Sequence, residues 1–284
     1  MSALTLLPAG ASAAPARAAR PKPRATLVVA VLVLAVALAW AFLPWLFTSQ
    51  DPIAGVAAEA LQAPSAAHPF GTDATGRDLL ARVIFGAGNS LAGAAIAVLV
   101  GLVVGSALGV LAGSVGGLVE DAVMRVVDVL LAIPGLLLAL SVIVLLGFGV
   151  TNAAIAVGVT SIAVFARLSR SQVVRVRRSD YVEAAFGSGG TVLAVLGRHV
   201  LPNSLGAVLA LAALQFGSAI LAISTLGFLG YGAPPPTPEW GLLIAESRDY
   251  VATSWWLTTL PGVVVAAVVL AANRVAAAIR EATA

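Results

Sequence analysis

Six apolar stretches run along the chain, at residues 26–47, 91–113, 123–146, 151–168, 205–228 and 255–272. Each is compatible with the roughly 20 residues that cross a hydrocarbon layer about 30 Å thick. None alternates apolar with polar residues in short strands, so a membrane barrel is excluded. Lipid offers no partner to backbone N–H and C=O groups, so the stretches are expected to be helices. The pattern predicts an all-α, polytopic membrane helical bundle of about six transmembrane helices, with a transmembrane domain over 25–284. Residues 1–24, rich in Ala, Pro and Arg, are expected to form a disordered basic tail. The apolar run after it is too long for a signal-peptide core and reads as a retained first span.

Composition sharpens this picture. The chain is 60% hydrophobic and 10% charged, where a soluble domain carries about 25% charged residues. There is no cysteine, and Lys22 is the only lysine. A phosphate-binding P-loop needs a Gly-x-x-x-x-Gly-Lys-Ser/Thr segment, so no ATP chemistry is expected in this chain. The high pI, about 9.9, comes from arginines and reads as topological bias rather than nucleic-acid binding. Arg17, Arg20, Lys22, Arg24, Arg125, Arg167, Arg170, Arg175, Arg177, Arg178, Arg198, Arg274 and Arg280 fall on one side, and only Arg77, Arg82 and Arg248 on the other. The positive-inside rule then places both termini in the cytoplasm.

Within the spans, Gly101, Gly105, Gly109 and Gly113 recur every four residues. Such a stripe lets another helix approach closely, and internal packing is favoured over a dimer contact. Pro134 lacks an N–H and is expected to kink the third span, which makes it a candidate gate. Asp128 is the only acidic residue well inside a span.

Three polar segments lie between spans. At 68–91, turn residues precede a stretch in which Leu79, Leu80, Val83 and Ile84 share one helical face. It reads as an amphipathic helix at the interface, capped by Thr75 or Asp73, or as a simple re-entry elbow. At 169–204, an arginine-rich loop contains Asp180-Tyr-Val-Glu-Ala-Ala185, a helix-forming stretch ended by Gly187, Gly189 and Gly190. Composition leaves an orientation signal and a docking helix equally open. At 228–250, Pro234, Pro235, Pro236 and Pro238 make a stiff connector. Trp240, Trp255 and Trp256 suit an interfacial belt, and the segment is either a surface anchor or a docking rim.

Glu183-Ala184-Ala185, Gly189 and Leu201-Pro202 together resemble the EAA loop of ABC-importer permeases. His68-Pro-Phe-Gly-Thr-Asp73, Gly76-Arg-Asp78 and Pro235-Pro-Thr-Pro-Glu-Trp-Gly241 are similar to segments of the dipeptide, oligopeptide and nickel group, specifically its second, C-type subunit. Met124-Arg-x-Val-Asp128 and the stretch from Trp255-Trp256 to Asn273 share that likeness. The resemblance implies a type I importer permease fold in a prokaryotic inner or plasma membrane. It implies a second permease chain, one or two ABC ATPase subunits that hold ATP and Mg, and an extracytoplasmic binding protein that delivers the solute. The chain itself would bind no cofactor and catalyse nothing.

On this match Asp180, Tyr181, Glu183, Ala184, Ala185, Gly189, Leu201 and Pro202 are the ATPase-coupling residues, and Pro236, Glu239 and Trp240 are candidates to face the binding protein. Two departures stand out. Phe186-Gly187-Ser188 replaces better helix formers, so the coupling helix is expected to be short or to order on docking. Gly88-Asn89 lacks a basic residue common there. A secondary transporter and a non-transporting membrane assembly protein are the competing readings. The first wants ionisable groups at the membrane midplane, and the second lacks an ATPase partner.

Overall fold

A computed structural model describes residues 24–283. Of the expected basic tail, all but Arg24 lies outside the described residues. Among those described the chain is helical, and its one bridge outside helices pairs Thr72 with Asp78.

Helix α1 (Arg24–Phe42) is apolar all round and lies at the edge of the bundle against α2 (Leu79–Val100) and α11 (Trp256–Thr283). After α2 a π-helical turn, Gly101–Gly105, leads without a break into α3 (Ser106–Val115). The expected interfacial helix is therefore not a separate element. It is the first part of a rod running from Leu79 to Val115. Its apolar face is taken by protein rather than by a membrane surface: Val83 packs in the main core with Trp240, and Leu79 packs with Trp256 and Leu257. Its cap is Asp78, which accepts a hydrogen bond from Ala81 N at 2.7 Å; neither Asp73 nor Thr75 caps it.

α4 (Gly117–Ala132) and α5 (Gly135–Leu146) replace the expected third span. They meet at 99°, because Ile133 and Pro134 take extended backbone between them. Pro134 has no N–H to donate and excludes helical backbone from the residue before it. α6 (Val150–Arg177) continues well past the expected end of its span. α7 (Asp180–Gly187) and α8 (Val192–Val195) follow, then a π-helical turn, Leu196–Val200, that feeds α9 (Leu201–Phe228). α10 (Trp240–Glu246) lies at the opposite end of the bundle from α7. Among the described residues five helices are long and apolar enough to cross a membrane, six if the bent pair is one crossing.

The glycine stripe explains the central seam. A Cβ on Gly105 would lie 2.4 Å from Ile162 O, on Gly109 2.3 Å from Ala166 O, and on Gly101 2.7 Å from Ser161 Cβ. Only glycine lets the rod and α6 touch backbone to backbone, as small-residue stripes do in membranes. The stripe is an internal contact, as the sequence favours.

Candidate functional site

The polar layer at the α10 end pairs its carboxylates within the chain, while Arg82 Nε and Nη2 are buried without a hydrogen-bond partner among the described residues. Arg82, 1% exposed, reaches Asp73 Oδ2 at 2.7 Å and Glu246 Oε2 at 2.9 Å through Nη1. Arg77 Nε reaches Asp73 Oδ2 at 2.6 Å. Asp73 Oδ1 accepts from Thr75 N, Thr75 Oγ1 and Arg77 N. Burial opposes charge on Asp73, but the Arg77 and Thr75 hydrogen bonds and the Arg82 guanidinium outweigh it and hold its carboxyl below the usual range. His68 Nδ1 lies 2.9 Å from Asp78 Oδ2, so the residues that open the segment hold its helix cap.

Two of the three residues proposed to face outward are turned in. Glu239 and Trp240 are fully buried. The Glu239 carboxylate caps α10, accepting from Gly241 N and Leu242 N at 2.9 Å each, and from Ser90 Oγ at 3.2 Å. Burial pushes its carboxyl up, against those three hydrogen bonds. Trp240 Nε1 donates to Val83 O at 2.9 Å. Gly227 is the reason the carboxylate fits, since a Cβ there would lie 2.4 Å from Glu239 Oε2. Asn89, where a basic residue was expected, donates to Pro238 O at 2.8 Å. Of the three candidates only Pro236 is exposed, and of the tryptophans proposed for the belt only Trp255 is exposed. Glu239 opens a helix after Pro238, but a helix start does not by itself say that the capping acid turns inward.

The α7 end is built differently. α7 is held by one side chain, Val182, which is fully buried among Val173 and Val176 of α6, Val195 of α8 and Val200. Its C-terminus closes in a paired arrangement: Gly190 N donates to Ala185 O at 3.1 Å and Gly189 N to Phe186 O at 2.9 Å. Gly189 has φ +86°, where a Cβ would be strained, and this is the Schellman stop. Gly189 and Gly190 terminate the helix, as the sequence reading has them, and α7 is a short helix of eight residues, formed without a docked partner.

The coupling candidates then divide. Asp180, Tyr181, Glu183, Ala184 and Gly189 are exposed, Ala185 is half-buried, and Leu201 and Pro202 open α9. Among the described residues, neither Asp180 nor Glu183 has an ion-pair partner. Three arginines of α6 are engaged elsewhere. Arg177 Nη1 donates to Gly113 O at 2.8 Å and to Ser114 O, closing the C-terminus of α3. Arg170 pairs with Glu120, and Arg167 with Asp128. Asp128 is thus half of an ion pair on the α4–α6 seam, not an isolated acid. The arrangement offers an acidic and apolar convex ridge on a firmly seated base, suited to a groove on another protein.

Residues 105–283 match the family model of the binding-protein-dependent transport system inner membrane component. The probable D,D-dipeptide transport system permease protein of Escherichia coli strain K12 is 40% identical over 221 residues, 78% of this chain and 74% of that protein. The di/tripeptide transport system permease protein of Pseudomonas aeruginosa is 39% identical, and the glutathione transport system permease protein of Pectobacterium atrosepticum 37%; both alignments cover 78% of this chain and 73% of the relative. Two inward-facing crystal forms of the MetNI methionine ABC transporter superpose on 72% of the chain, with TM-scores of 0.58 and 0.61 at 18% identity, covering 96% and 98% of their own chains.

Proposed function

The chain belongs to the inner membrane components of binding-protein-dependent transport systems, and from that premise we propose that it is one permease half of an ATP-driven importer of short peptides. The named relatives above carry dipeptides, di- and tripeptides or glutathione, and that common chemistry is the ground for the cargo. A second permease chain completes the pathway, an extracytoplasmic binding protein delivers the solute, and one or two ABC ATPases hold ATP and Mg. Both termini and α7 lie in the cytoplasm.

The observation that carries the coupling role is the outward ridge of α7. Glu183 is exposed without an ion partner, next to the small Ala184, on a helix anchored through Val182. A small side chain permits close approach of a groove, and Glu183 pairs there with a basic group. Closure of the ATPase pair then moves α7 and rocks the two permeases between outward- and inward-facing states.

The test reconstitutes the transporter with Glu183→Ala and Glu183→Lys and measures ATP hydrolysis stimulated by the loaded binding protein. Stimulation is expected to fall about tenfold, the equivalent of about 1.4 kcal/mol of coupling, and further for Lys, with insertion intact. Unchanged stimulated hydrolysis in both variants would defeat the assignment.

A further inference from the structure

On the α7 side of the bundle a cavity of about 450 Å³ opens between α6, α9 and α11. Its lining changes character in one direction along two antiparallel helices. On α6 the order is Leu168, Gln172, Arg175. On α9 it runs from Leu214 and Leu211 back to Asn203. Arg280 of α11 stands at the basic end. The span from Leu214 to Asn203 is about 16 Å of helix, so the cavity is a slot along the helix axes rather than a dent across them. Its lining is aliphatic at one end, carries Gln172 between, and reaches Asn203, Arg175 and Arg280 at the other, with no acidic residue in the lining. Gln172 Oε1 is buried and accepts no hydrogen bond within the chain.

We propose that this slot binds one anionic phospholipid of the cytoplasmic leaflet. The acyl chains lie along Leu214 and Leu168, the glycerol region meets the Gln172 side chain, and the phosphate meets Arg175 and Arg280. The order apolar, amide, cation matches acyl chain, glycerol region and phosphate in sequence and direction. Basic pockets between membrane helices on the cytoplasmic side hold such headgroups. The choice of leaflet rests on the orientation proposed above; the fit of the slot to the lipid does not.

The test uses the full chain, with whatever subunits co-purify, in nanodiscs of phosphatidylcholine containing one-tenth phosphatidylglycerol, released for native mass spectrometry. Retained phosphatidylglycerol is expected to exceed its bilayer share about tenfold. The double variant Arg175→Gln/Arg280→Gln should return to the bilayer share, and Arg175→Lys/Arg280→Lys should keep the enrichment, which separates lost charge from misfolding. Ala207→Leu, which fills the slot without touching charge, should also abolish it. No enrichment in the wild type, or enrichment that survives Ala207→Leu, would overturn the proposal. Because the chain has no cysteine, Arg175→Cys gives a single reporter. Labelling of that cysteine by an impermeant maleimide from outside the cell would refute the orientation and leave the lipid result standing. A cross-link from it to a co-purifying permease or ATPase would mean that protein fills the slot, and would overturn the lipid assignment.

Discussion

Asp73, Asp78, Glu239 and Glu246 at the α10 end turn toward Arg77, Arg82, His68 and backbone N–H groups. Asp180 and Glu183 at the α7 end turn away from the chain. Both ends show similar residue types in sequence, and both contain motifs shared with transport permeases. The first end pairs its carboxylates internally and so holds a shape, although Arg82 Nε and Nη2 stay buried without a hydrogen-bond partner among the described residues. The second keeps its shape with valines and glycines and leaves its polar groups for something else. A shared motif is therefore not by itself a contact surface; what separates the two is whether hydrogen-bonding capacity is already used.

The comparison can be broken at several strengths. Arg82→Ala attacks the α10 end hardest, because it removes the buried cation that joins Asp73 to Glu246 and leaves both to Arg77 beside a buried gap. Breaking a buried pair from one side costs about 3–5 kcal/mol, read as a fall in the thermal unfolding midpoint in detergent. An unchanged midpoint would mean that these pairs do not hold the end together. Gly189→Ala tests the open end's own scaffold. At φ +86° an L-residue costs about 1–2 kcal/mol, expected as faster local proteolysis of 178–200 with little change in the global midpoint.

The third test is titration. Asp73 has its folded carboxyl below the ordinary value of 3.8. Its ionised form thus stabilises the α10 end at all pH above that value, and the stabilisation is lost as pH falls through the lowered folded value. Asp73→Asn should flatten the acid limb of the stability profile below about pH 4; an unaltered slope would count against the network. The smallest expected effect on folding is that of Ala184→Leu, within about 0.5 kcal/mol for an exposed site. The same variant is expected to depress transport strongly, since it fills the ridge, and normal uptake would remove Ala184 from the docking face.

Hydrophobic runs made the helical bundle legible because lipid leaves the backbone no other choice. The glycine stripe was legible for the same reason: a four-residue spacing has one geometric use. Pro134 announced a kink, and the restriction on the residue before proline also takes Ile133 out of the helix; the size of the break, 99°, is set by the packing around it and not by that rule. The helical face at Leu79–Ile84 was read correctly as a face and wrongly as a membrane contact. Amphipathicity says that a face is covered, not by what, and Trp240 arrives there from more than 150 residues away. Glu239 was misread for the same reason. An acid after prolines looks exposed until Gly227 and Ser90, distant in sequence, supply its pocket. Around α7 the local signals sufficed: the glycines read as ending the helix do so, Gly189 through its positive φ.

The unbroken course of α6 has a mechanical meaning. Twenty-eight residues in one helix make a rod about 42 Å long, seated along the rod that ends at Val115 and bolted to α7 through the valine cluster. On the coupling role proposed for it, a load applied at α7 is a load on the end of a lever. A tilt of about 5° over that length displaces the far end by roughly 4 Å, about the reach of one side chain. Modest leverage at one membrane face thus becomes an opening-sized displacement at the other, with no joint between them to absorb it.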